Sequence, residues 1–110
     1  MKVCELIDKY PFKTLSKGDL ERSISNVYSC DLLSWVMAKG KNDTAWVTVQ
    51  THSNILAVAS LLDFSCVIIP EGIKVEAEII EKANEQDITI LSTDLETFEI
   101  FKIMYEAGIR

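Results

Sequence analysis

Thr44–Asp63, TAWVTVQTHSNILAVASLLD, is the stretch that decides the fold. Its first part, Thr44 to Val49, is β-branched and aromatic, a composition that fits a pleated surface better than a helix. Gln50-Thr51-His52-Ser53-Asn54 follows as an unbroken polar run. From Ile55 to Leu62 the side chains are apolar nearly all round, the pattern of a helix buried on most sides. Strand, polar turn and helix in that order make half of a βαβ unit.

Working outward, Asp63 ends this helix and Ser65 to Ile69 reads as a buried parallel strand, closed by Pro70-Glu71-Gly72. Val75 to Gln86 is amphipathic, with Val75, Ile79, Ile80 and Ala83 inward and Glu76, Glu78, Glu81 and Lys82 toward water. Ile88 to Leu91 is a further short strand. Ser92-Thr93-Asp94 supplies cap side chains for a last helix reaching about Ala107, with Gly108 at its C-cap. On the other side, Ser29-Cys30-Asp31 offers caps to a helix from Leu32 to Lys39, and Gly40 stands where a left-handed C-cap belongs. Leu20 to Tyr28 alternates imperfectly and reads as an extended edge segment. Val3, Leu6, Ile7 and Tyr10 share one helical face that Pro11 terminates, and Phe12 to Leu15 is a candidate short strand.

Three strand–helix repeats with short connections predict an α/β fold, a single three-layer domain spanning residues 1–110. Its sheet should be mostly parallel, of about four to five strands, with right-handed crossovers and helices on both faces. The strongly apolar strands 45–49 and 65–69 belong in the middle.

Composition narrows the function. A chain of 110 residues with 48% hydrophobic residues, 4 Gly and 2 Pro builds a packed core. Its net charge of -6, with scattered basic residues, opposes a nucleic-acid partner, because Lys and Arg neutralising phosphates supply most non-specific affinity. Cys4, Cys30 and Cys66 are odd in number and form no CxxC, which points to a reduced, cytoplasmic setting and not to a disulfide framework. No apolar run reaches the ~18 residues of a membrane span, and no signal peptide is legible.

In open α/β sheets ligands sit beyond the carboxyl ends of the strands. Those ends here are the polar run 50–54, Pro70-Glu71-Gly72 and Ser92-Thr93-Asp94. Thr48, Gln50, Thr51, His52, Asn54, Thr93 and Asp94 are therefore the candidate ligand-binding residues, placed where helix N-termini favour an anion or a carbonyl. Helix capping alone accounts for Ser53, Asn54, Ser92 and Asp94. It does not account for Gln50, Thr51 and His52 all being polar. The ligand so implied is an adenine nucleotide or a similar anion.

Catalysis finds little support. His52, the one histidine, needs an orienting carboxylate, for which Asp94 is the candidate, and a nucleophile within reach. No GxSxG elbow, HExxH or Cys/His zinc spacing occurs, and no GxGxxG or GxxxxGK[ST] loop cradles phosphate. A non-catalytic chain without metal or cofactor is expected.

Two helices carry more apolar side chains than one sheet face requires. In 32–39 Leu32, Leu33, Trp35, Val36 and Met37 spread round most of the circumference. In 95–107 Leu95, Phe98, Phe101, Met104 and Tyr105 form one stripe, while Ile100 and Ile103 lie on another side. Large exposed apolar patches are uncommon on monomers. Leu32, Trp35, Met37, Ile100 and Ile103 are therefore candidate interface residues, with a second copy and a partner protein as the expected occupants. Trp35 is the anchor type.

Tyr28-Ser29-Cys30-Asp31-Leu32-Leu33-Ser34-Trp35-Val36-Met37 and Ala45–Ala59, together with Val67–Gly72 and Ile90–Asp94, resemble the DRTGG domain family. The likeness runs from about Leu20 to Ile109. The string that names the family is absent, and Glu21-Arg22-Ser23-Ile24-Ser25 stands where it is sought, keeping the arginine. The resemblance implies a fold similar to the N-terminal domain of HPr kinase/phosphorylase. It implies an accessory, regulatory or assembly role, as in phosphotransacetylases and in pyrophosphatases where the domain lies between CBS domains. Short stand-alone members occur in anaerobic bacteria, often near iron-only hydrogenase genes. The family carries over no active-site residues.

Overall fold

The computed structural model describes residues 1–109. Five strands and five helices run in the order α1 (Val3–Lys9), β1 (Lys13–Ser16), β2 (Asn26–Ser29), α2 (Leu33–Lys39), β3 (Thr44–Val47), α3 (Asn54–Leu61), β4 (Cys66–Ile69), α4 (Ala77–Glu85), β5 (Ile90–Ser92) and α5 (Thr97–Glu106). The sheet order is β1-β5-β4-β3-β2, parallel from β2 to β5 with β1 antiparallel at one edge. The expected α/β architecture and mostly parallel sheet are present, with β3 and β4 inside it.

Because β2, β3, β4 and β5 are neighbours in chain order, right-handed crossovers put α2, α3 and α4 on one face. The side chains agree. Trp46, Val67, Ile69 and Ile90 pack on one face with Val36 of α2, Ile55 and Leu56 of α3 and Ile79 and Ala83 of α4. Ala45, Val47, Cys66, Ile68 and Leu91 point the other way, against Val3 and Leu6 of α1 and Ile100 and Met104 of α5. Alternation along the strands sorts these two sets.

Several local expectations give way to tertiary contacts. Leu20 to Ser25 is not strand: it turns and reaches the amino end of the molecule, where Val3 N–H donates to Arg22 O and Ile24 N–H to Met1 O. Gly40 is not left-handed, with φ −64 and ψ 146. Glycine is required there by closeness, since a Cβ would lie 2.7 Å from Leu62 and 2.8 Å from Phe64. Gly108 does take positive φ, 98°, past the end of α5. Helix α3 is less buried than its composition suggests, with Ala57, Ser60 and Leu61 exposed and Leu61 at 71%. In α5, Ile100 and Met104 are fully buried while Phe98 and Tyr105 face outward at 77% and 61%.

Candidate functional site

Four strand ends gather at one end of the sheet, and they do not behave alike. The connection after β4 leads to α4 on one face and that after β5 to α5 on the other. The gap between them is the switch point where open sheets bind ligands. Here it is closed. Thr93 N–H donates to Ile69 O at 3.1 Å, Gly72 N–H to Thr93 O at 2.9 Å and Glu71 N–H to Leu95 O at 3.0 Å. Glu71 and Gly72 both take positive φ, 58° and 66°, to make the turn that reaches across. Thr93 is buried, with its hydroxyl donating to Pro11 O and accepting from Leu95 N–H. Thr93 is thus buried in these contacts while Asp94 stays exposed, and the structure does not bring either of them to the polar run 50–54.

An open cleft of about 470 Å³ lies instead between the segment that follows β3 and the start of α4. Val49–Ser53 form one wall, and Glu76, Glu78 and Ile79 at the start of α4 form the other. Gln50, Thr51 and His52 are thus brought together as expected. Thr48 is 1% exposed beneath them, and its hydroxyl donates to Asp31 Oδ1 at 2.8 Å. Asn54 begins α3 and does not line the cleft.

The acidic wall escaped the sequence reading, which assigned Glu76 and Glu78 to a solvated face. The signal was present in the order of elements. A right-handed β4–α4 crossover brings the first turn of α4 beside the end of β3. Among the described residues no lysine or arginine lines the cleft. Glu76 and Glu78 stand opposite Gln50 and Thr51, Glu78 also pairing with Lys82 at 3.6 Å, so this wall suits uncharged polar groups better than phosphate.

The helix-terminus reading also weakens. Neither Ser53 nor Asn54 caps α3 by its side chain. His52 does so, Nδ1 accepting from Asn54 N–H at 3.1 Å, while Ile55 N–H donates to His52 O and Leu56 N–H to Ser53 O. These donors are spent inside the chain and are not free for an anion. With Nδ1 turned to its own backbone, His52 cannot be oriented there by a carboxylate, so the arrangement needed for a general base is not formed.

Ser29-Cys30-Asp31 likewise gives no side-chain cap to α2. Asp31 reaches across to β3, its Oδ1 accepting also from Val49 N–H at 3.0 Å. Beyond it, α2 exposes Leu32 at 64%, Trp35 at 52% and Met37 at 38%. Lys39 Nζ sits 5.4 Å from the Trp35 ring. Ile100 is wholly buried and leaves the interface set, Ile103 is half-buried, and the apolar side chains that α5 does expose are Phe98 and Tyr105.

The thiol of Cys66 is pushed up to about 12 by burial and is chemically quiet. Among the described residues no group of His, Cys, Asp and Glu could hold a metal ion, and no helix is long and apolar enough to cross a membrane.

The DRTGG domain matches residues 29–107. The chain belongs to the DRTGG domain family. A crystal structure of the CBS and DRTGG domains of the regulatory region of Clostridium perfringens pyrophosphatase, complexed with the activator diadenosine tetraphosphate, is similar in fold. Sequence identity is 16% and the TM-score 0.65, over 84% of this chain and 41% of that one. The chain thus spans less than half of that regulatory region. Among curated proteins none matches the chain.

Proposed function

We propose that the chain is a non-catalytic regulatory module that works by pairing with a second copy and by docking a partner protein. The observation that carries this reading is the α2 surface, where Leu32, Trp35 and Met37 stand in water. Each such side chain contributes about 1.5–3 kcal/mol when fully buried. Family membership and a neighbour that is itself a regulatory region support the regulatory part. Light scattering at high micromolar concentration is expected to give a dimer. Trp35→Glu, which puts a charge at the anchor without touching the core, should weaken it at least ~30-fold, the factor for an interface residue worth about 2 kcal/mol. A strict monomer would remove the pairing half of the reading.

A second reading makes the cleft between the segment after β3 and the start of α4 a sensor site. Its support is the neighbour's complex with a nucleotide activator and the cleft's volume of about 470 Å³. Glu76 and Glu78 direct it toward the base or sugar end of such a ligand, with phosphates held outside. A thermal-shift series over adenine, adenosine, ATP and diadenosine tetraphosphate tests this. A true ligand at 100 times its dissociation constant adds about 2.7 kcal/mol, and adenosine should do at least as well as ATP. No shift with any of the four retires the adenine reading.

A further inference from the structure

The cleft and the α2 surface are joined by a small set of hydrogen bonds. Cys30 and Asp31, which immediately precede Leu32, are held entirely from β3 and the residues after it. Trp46 Nε1–H donates to Cys30 O at 3.0 Å. Asp31 Oδ1 accepts from the Thr48 hydroxyl at 2.8 Å and from Val49 N–H at 3.0 Å. Gln50 Nε2–H donates to Asp31 O at 3.1 Å, and Gln50 N–H to the Thr48 hydroxyl at 3.2 Å. Val49 and Gln50 are also the first two residues of the cleft wall.

Helix α2 is held to the core by Val36 and Leu33, and its far end at Gly40 lies close to Leu62 and Phe64. It is 7 residues long, has no side-chain cap, and buries only Val36 completely. A helix that short does not persist on its own propensity. Its start is therefore set by Asp31, and Asp31 is set by the strand end that opens into the cleft.

We infer that the Asp31–Thr48–Gln50 cluster is a latch through which occupancy of the cleft controls the α2 surface. The Gln50 carboxamide has two N–H donors, one of them spent on Asp31 O, so only a ligand that turns the carboxamide plane toward the cleft competes with that bond. Such a ligand draws it off Asp31, loosening the turn that carries Leu32 and displacing Trp35 one helical turn further on. Asp31, Thr48 and Gln50 act by positioning, through the hydrogen bonds that hold the turn before Leu32. The consequence for pairing rests on the reading of α2 as the surface that a second copy covers. The latch itself does not.

Two measurements separate these. Amide hydrogen exchange of Trp35 and Val36, whose N–H groups both donate to Leu32 O, reads the latch in dilute solution, where no pairing occurs. Gln50→Ala removes one hydrogen bond and should speed exchange about fivefold; Asp31→Ala removes two side-chain bonds and should speed it several times more. Asp31→Asn keeps the accepting oxygen and should return most of the protection. Sedimentation of the same variants then reads the coupling: the dimer should weaken in Gln50→Ala and Asp31→Ala and recover in Asp31→Asn. Unchanged exchange in both alanine variants overturns the latch. Faster exchange with unchanged dimer affinity overturns the coupling to pairing. A wild-type monomer with faster exchange in the variants keeps the latch and overturns the association reading instead.

Discussion

Trp46→Ala is expected to destabilise the fold by about 3–5 kcal/mol, as removal of a fully buried aromatic side chain does. Trp46 is 0% exposed and lies at the centre of the face that α2, α3 and α4 share. Its ring meets Phe64 edge-on at 5.6 Å between centroids, and its N–H is satisfied by Cys30 O. A chain of this size has about 5–15 kcal/mol to lose. In urea, followed by circular dichroism, the midpoint should fall by about 2 M at a slope near 2 kcal/mol/M. Trp46→Phe separates the two contributions. It keeps most of the apolar volume and leaves Cys30 O without its donor, a loss of about 1–2 kcal/mol. If the alanine variant stays within about 1 kcal/mol of wild type, the face is not packed around this residue.

The layers were legible in the sequence because period carries them. Ala45 to Val47 and Cys66 to Ile69 are apolar without interruption, and only a strand covered on both faces tolerates that. Trp46 and Cys66 follow as core from the same fact. What the sequence hid lies in contacts between distant segments. Ile100 and Ile103 look alike on a helical wheel, yet one is wholly buried and the other half-buried, because the tilt of α5 across the sheet is a tertiary property. Asp31 looks like a cap because its residue type favours one, and only the approach of β3 gives its carboxylate two better donors. The site divides in the same way. Gln50, Thr51 and His52 are contiguous and were found together. Glu76 and Glu78 join them through a crossover, and Thr93 is withdrawn by Pro11, a residue 82 positions away. Exposure of Leu32 and Trp35 beside one another was legible as surplus, since a helix of two turns cannot turn five apolar side chains toward one sheet.

Arg22→Ala is expected to cost about 2 kcal/mol at neutral pH, between the values for exposed and buried ion pairs. The guanidinium ties together three loops at the amino end of the sheet. Nε–H and Nη2–H donate to Asp43 Oδ1 at 3.2 and 2.9 Å, Nη1–H to Asp63 Oδ1 at 2.8 Å, and Nη2–H to Asp63 O at 2.6 Å. Asp43 and Asp63 both hold positive φ of 58°, a strained conformation that these contacts help to fix. The side chain of Arg22 is only 24% exposed, but those of Asp43 and Asp63 are 40% and 68%, which keeps the pair short of a buried one. Lysine cannot replace the fork, so Arg22→Lys should recover less than half of the loss.

The same contacts set a pH dependence. Hydrogen bonding and charge from Arg22 hold the Asp63 carboxyl below the usual aspartate range. A group whose folded value is depressed stabilises fully above its unfolded value, near 4, and ceases to do so as pH falls through the lower folded value. Arg22 itself is raised, first by its hydrogen bond to Asp63, so its contribution is complete throughout the range in which the chain stays folded. Below about pH 4 wild type should therefore lose stability that Arg22→Ala has already lost, and the gap between them should narrow. Urea titrations of both at neutral pH and near pH 3 measure that gap. Parallel profiles would mean that Asp63 gains nothing from the arginine, and the clasp would then be a contact without thermodynamic weight.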